Sequence, residues 1–216
     1  MPDEYNFDAA LAELVNYIEN TGREIVGEIE DETEDGDPVS GFQCQQGSFS
    51  FIVYGSPDTP RFRAVSKYDM VMEIAQVQAA AEMSDESDEM PELTEERTNA
   101  AVDHLKELNE RAGEEQIEEL HFRLIDKLSC PHCTFSIDHL ESGALRGFSV
   151  EKDIFVYEDS FSISDFDEAI QAIIGTTFPA QVLLDQSFGF RSLADEGTES
   201  TTDELSPTAP GSRGFQ

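Results

Sequence analysis

Apolar and polar positions change period several times along this chain, and each change marks a predicted element. Phe7, Leu11, Leu14, Val15 and Ile18 fall on one helical face, with Asn6 as a cap before them and Gly22 as a stop after them. Alternation then takes over. Glu24–Ile29 reads as a strand, and Asp31–Pro38 (DETEDGDP) as a solvated acidic loop. Val39–Cys44 and Phe49–Tyr54 read as a hairpin about Gln46-Gly47-Ser48, and Phe62–Ser66 as a further strand after the turn Ser56-Pro57-Asp58. Tyr68–Met83 reads as a helix with Met72, Ala75, Ala79 and Met83 on one stripe, although its start could instead prolong the strand. Ser84–Glu92 is a second acidic loop. Thr94 can cap a helix whose buried face is Ala101, Leu105, Leu108 and Ala112, and Gly113 breaks it. Ile117, Leu120, Leu124 and Leu128 favour a helix over Glu114–Ser129, with a strand as the competing assignment.

The last third repeats the alternation. Thr134–Asp138 and Phe148–Tyr157 are predicted strands joined through Ser142-Gly143. Asp165–Ile174 is a predicted helix with Ser164 as its cap and Phe166, Ala169, Ile170 and Ile173 inward, and Gln181–Leu184 is a short final strand. From Ser192 onward the chain has almost nothing to bury and is expected to be disordered. The resulting expectation is one α+β domain over 5–191, a mostly antiparallel sheet with helices packed on one face, followed by an acidic tail over 192–216. Two segments, Phe62 with YDMVMEIAQV and Phe148 with SDFDEAIQAI, share a strand–turn–helix order that is too weak to indicate duplication.

Charge alters this picture most. The 216 residues hold 47 Asp and Glu against 13 Lys and Arg, a formal net charge of −34. Lys67, Lys106, Lys127 and Lys152 are its only lysines. Such a chain repels itself in dilute buffer, whereas in molar salt the Debye length shrinks to about 3 Å and distant repulsion is screened. Acidic residues also lie inside the predicted elements, as Asp103, Glu107 and Glu110 do in one helix. Their distribution points to whole-surface halophilic adaptation in an archaeal cytosol. The shortage of cations disfavours nucleic acid and anionic membrane as partners. No apolar run approaches the length of a membrane span, and the acidic start MPDEYNFDAA lacks the features of a signal peptide. Both point to a cytoplasmic protein.

The order of elements resembles an archaeal uncharacterised family with the type III secretion chaperone-like (YbjN-like) fold. The similarity is carried by Asp153–Ile173 (DIFVYEDSFSISDFDEAIQAI) and by the opening helix with strands ending in Phe49–Ser66 (FSFIVYGSPDTPRFRAVS). It implies that fold and a non-enzymatic, protein-binding or chaperone-like role, with another protein or a second copy as partner. No catalytic residues come with it.

Cys130-Pro131-His132-Cys133 is the one chemical motif, and three readings of it are open. CPHC resembles the active motif of DsbA-type thioredoxin-fold oxidases, which would make Cys130 and Cys133 a thiol–disulfide site facing Pro179. A low thiol pKa is expected when such a motif opens a helix; here it follows a predicted helix, whose negative end would raise the pKa. Zinc is the second reading, with Cys130, Cys133 and His139 or His121 as ligands, against the four that closed sites use. Small buried thiols in a turn are the third, and the pattern favours them. No cofactor is otherwise implied. The histidines form no catalytic set, and neither a nucleophile elbow nor a phosphate-binding glycine loop is present.

Overall fold

The computed structural model describes residues 6–32, 36–82, 94–158 and 161–190. The predicted acidic loop over 84–92, part of that over 31–38, and the tail from 192 lie outside the described residues.

Helix α1 (Phe7–Asn20) begins where Asn6 Oδ1 accepts the Ala9 N–H at 3.1 Å, and it buries Ala10, Leu14 and Ile18. Strands β1 (Glu24–Glu32), β2 (Pro38–Gln46), β3 (Phe49–Ser56) and β4 (Thr59–Asp69) follow as an antiparallel meander. Gly47 turns the β2–β3 hairpin with a φ of 61°, a conformation in which a Cβ would be strained. Helix α2 (Met70–Glu82) continues β4 without a break, and α3 (Glu95–Ala112) and α4 (Glu114–Leu128) form a helical pair about Gly113. The chain then returns to the sheet as β5 (Thr134–His139) and β6 (Leu145–Ile154), and it ends in the long α5 (Ile163–Phe188). The fold is α+β, with a six-stranded antiparallel sheet in the order β1-β2-β3-β4-β6-β5.

The helices pack on one face. Phe42, Cys44, Phe51, Val53, Phe62, Ala64, Tyr68, Phe148, Val150 and Ile154 are the inward residues of the sheet, and they meet Leu14, Ile18, Leu105, Leu124, Phe166, Ile170 and Leu184 from the helices in one core. Phe7 of α1 stacks on Phe62 of β4. Alternation requires the intervening residues to face away, and these include Ile52, Tyr54, Arg63, Val65 and Glu151. On that outer face Arg61 pairs with Asp153 at 3.1 Å and Arg63 with Glu151 at 3.2 Å. One buried amide locks the helical pair to the sheet. Asn109 Oδ1 accepts the Leu145 N–H at 3.0 Å, and Asn109 Nδ2 donates to the Leu105 carbonyl at 2.9 Å.

Four sequence expectations need correction. The α2 stripe is Met70, Val71, Ile74, Ala75 and Ala79, and Met72 is exposed. The strand expected at Phe148–Tyr157 runs earlier, from Leu145 to Ile154. Ser162, not Ser164, caps α5: its hydroxyl accepts the Asp165 N–H while the Asp165 carboxylate accepts the Ser162 N–H at 2.8 Å. Gln181–Leu184 is not a strand; it lies in α5, which passes through Gly175 and Pro179 without ending. The two ambiguous segments both resolve as helix over 70–82 and 114–128.

Candidate functional site

Two places in this architecture carry chemistry: a cleft through the sheet and the CPHC turn.

The cleft arises from a change in strand pairing. β3 and β4 pair from Ser56↔Thr59, through an irregularity at Gly55, to Ile52↔Val65 and no further. Yet β3 extends back to Phe49, and β4 extends on to Asp69. Among the described residues Phe49–Phe51 pairs with β2 alone, and Ser66–Asp69 with β6 alone. The sheet therefore splits along three residues of β3 and four of β4. The Tyr68 hydroxyl bonds the carboxylate of Asp185 on α5, which ties the end of β4 down to the helical layer, whereas the start of β3 stays with its hairpin partner. A cleft of about 500 Å³ opens at the split, lined among others by Ser50, Ser66, Lys67, Glu73, Thr177 and Gln181. Its walls are polar. Thr177 on its floor is 2% exposed, and its hydroxyl has no hydrogen-bond partner among the described residues. Burial, together with the carboxylates of Asp185 and Asp69, holds the Glu73 carboxyl above its ordinary range. Asp69 is itself held by Arg146 through two guanidinium nitrogens, the shorter contact 2.7 Å.

The CPHC turn joins α4 to β5. Ser129 closes α4, Pro131 and His132 occupy the turn, and the Cys133 N–H donates to the Cys130 carbonyl at 3.3 Å. The motif thus follows a helix, as the sequence predicts, but the expected rise in the Cys130 pKa does not occur. The main-chain N–H of His132 points at the Cys130 sulfur and draws its pKa down, helped by the Thr176 hydroxyl of α5 and by Cys133. The His132 and Cys133 donors belong to the turn beyond Ser129 and Thr176 to α5, so they act on the sulfur more directly than the last carbonyls of α4. Burial pushes the Cys133 thiol up, aided by the neighbouring Cys130. Both cysteines are partly exposed, and neither is bridged. Cys44 is remote in β2, and burial pushes its thiol up to about 12.

His139 is not beside the cysteines. Its ring stacks on that of His121, with centroids 5.6 Å apart. Among the described residues no three His, Cys, Asp or Glu side chains converge so as to hold a metal ion. Pro179 lies within α5 rather than before a strand, and the sheet is antiparallel throughout, so the thioredoxin arrangement expected of one reading of CPHC is not formed. Sequence reasoning missed the cleft, and it missed Thr176 as the neighbour of both thiols. Neither had a signal in the sequence: one is a failure of two strands to pair, the other a contact across 43 positions.

No family model matches the chain, and no curated protein matches it. A solved structure of similar fold is that of an uncharacterised protein from Methanothermobacter thermautotrophicus, with a TM-score of 0.53 and 13% sequence identity over 83% of this chain and 99% of the other. At that identity the likeness concerns the fold alone. Among the described residues no helix is long and apolar enough to cross a membrane.

Proposed function

We propose that this chain is a non-enzymatic protein-binding module of a halophilic archaeal cytosol, and that the β3–β4 cleft receives an extended segment of a partner protein. The observation that carries the reading is the split itself. Where Phe49–Phe51 and Ser66–Lys67 have a described strand neighbour on one side only, an extended peptide can enter by strand addition. Serine, glutamine and threonine side chains along the walls add hydrogen-bonding groups without demanding one sequence.

The outer edges of the sheet are poorer places for such pairing. β1 carries Glu24, Glu28, Glu30, Asp31 and Glu32 and is irregular between Ile25 and Gly27, and β5 has only six residues. Charge, bulges and shortness are the devices that keep edge strands from pairing with other chains. They also disfavour a homodimer built edge to edge through β1. The resemblance of the element order to the secretion-chaperone fold agrees with a binding role, and the net charge of −34 agrees with a salt-rich cytosol.

The test is capture of tagged protein from a salt-rich archaeal lysate in molar KCl, beside a variant carrying Ser50→Trp and Lys67→Glu. A near-stoichiometric partner that the variant loses, and that slows amide exchange over 49–51 and 66–69, is the expected result. A partner held equally by the variant moves the site away from the cleft. Recovery of the chain alone, as monomer or dimer, counts against a separate partner.

A further inference from the structure

The cysteine pair supports a second activity, independent of the binding reading. We propose that Cys130 and Cys133 form a reversible dithiol–disulfide couple, with Cys130 as the attacking thiol and Cys133 as the resolving one.

Geometry carries this. The pair brackets a turn closed by the hydrogen bond from the Cys133 N–H to the Cys130 carbonyl. A turn of this kind keeps its first and last Cα atoms within about 7 Å, and disulfides span Cα distances of about 4.4–6.8 Å. The two thiols interact with each other, and the Thr176 hydroxyl interacts with both. That hydroxyl donates to the Ala172 carbonyl at 2.8 Å, so it can accept from a thiol, and by rotating it can donate to a thiolate. The pair is also asymmetric. Cys130 meets the turn's N–H groups and solvent, whereas Cys133 lies deeper, in a cleft bordered by Pro131, Thr134, Glu151 and Lys152. An accessible thiol held by donors is the one that reacts first with an external disulfide.

The exchange balances with a small-molecule disulfide as the oxidant. The Cys130 thiolate attacks one sulfur of RSSR, forming a protein–S–SR bond and releasing RS⁻. The Cys133 thiolate, its proton lost to solvent, then attacks the Cys130 sulfur and releases the second RS⁻. Two protein thiols and one RSSR become one protein disulfide and two RSH. The bridge then links the end of α4 to the start of β5, and Thr176 loses both thiols as hydrogen-bonding neighbours.

The experiment uses the full chain in molar KCl with glutathione and its disulfide, quenched with acid. Leu128 to Arg146 is a single tryptic peptide that contains both cysteines, so closure appears as the loss of two hydrogens from it. Oxidation in glutathione disulfide, with full reversal by excess glutathione, is expected. Cys133→Ser should accumulate a glutathione adduct on Cys130, and Cys130→Ser should react at least tenfold more slowly. Thr176→Val should shift the pH–rate profile of Cys130 alkylation upward while circular dichroism stays that of the wild type. A peptide that stays reduced under predominantly oxidised glutathione overturns the proposal. So does adduct formation first on Cys133, or bridging only between two chains.

Discussion

Glu73 shows how a single side chain here is set against the fold that holds it. Its carboxyl lies at the cleft, partly out of water, near Asp185 and Asp69, and its pKa is raised above the ordinary value. In the unfolded chain it titrates normally. Between the two values the folded state binds more protons than the unfolded one, so stability falls as pH rises through that window and remains lowered above it. Glu73→Gln should therefore raise the melting temperature at pH 7, with the advantage over wild type vanishing as the pH falls below the ordinary carboxylate range. A pair of thermal denaturation series in molar salt measures this. Because burial is the largest cause, the gain should persist in salt. Arg23 is the opposite case. It is 3% exposed, bonded to Asp167 at 2.6 Å and to Gln46 at 3.1 Å, and it lies over the Phe166 ring. A buried guanidinium held by partners is tolerated where an unpaired one would not be.

Helix α5 is the element on which local and tertiary preferences disagree most. Gly175 and Pro179 are both poor in helix interiors, and proline also removes a donor to the carbonyl four residues before it, which here is Gly175. Local rules therefore end the helix at Ile174. Burial overrides them. Phe166, Ile170, Ile173, Thr177, Ala180 and Leu184 keep one inward stripe through both residues, and that face covers β4 and β6. A Cβ at Gly175 would meet nothing within 4 Å, so nothing in the packing requires glycine there. Gly175→Ala should stabilise the protein by roughly 0.5–1 kcal/mol, the usual helix-interior difference, read from urea denaturation. Gly147 in the sheet behaves differently. A Cβ at Gly147 would collide with the Tyr68 carbonyl oxygen, because β4 and β6 meet there with no room for a side chain.

At the scale of the whole molecule, charge governs the conditions under which these contacts suffice. A net charge of −34 works against any compact state in dilute buffer. Pairs on the surface, such as Lys67–Asp138 at 3.5 Å and Lys106–Asp103 at 2.8 Å, are well exposed and contribute little. Thermal stability should rise steadily from about 0.1 M to molar KCl as the Debye length contracts from about 10 Å to 3 Å. A melting temperature that is flat or falling over that range would count against salt adaptation. Glu73→Gln and Gly175→Ala are far from neutralising this surface, so neither should change the slope.

Much of the fold was legible because burial follows period. The stripes of α1, α3 and α4, the β2–β3 hairpin about Gly47 and the inward alternation of the sheet are one-dimensional patterns, each fixed by residues close in the chain. The CPHC turn was legible in the same way, since Pro131 and the end of α4 are neighbours in sequence. Tertiary structure decided the rest. It carried α5 past its own breakers, because the sheet offered a surface to bury against. It drew the Cys130 pKa down through turn donors and Thr176, stacked His139 on His121 instead of beside the thiols, and split β3 from β4 where Tyr68 bonds Asp185. Apart from the turn donors beside Cys130, each of these depends on groups far apart in the chain, whose meeting no local period encodes.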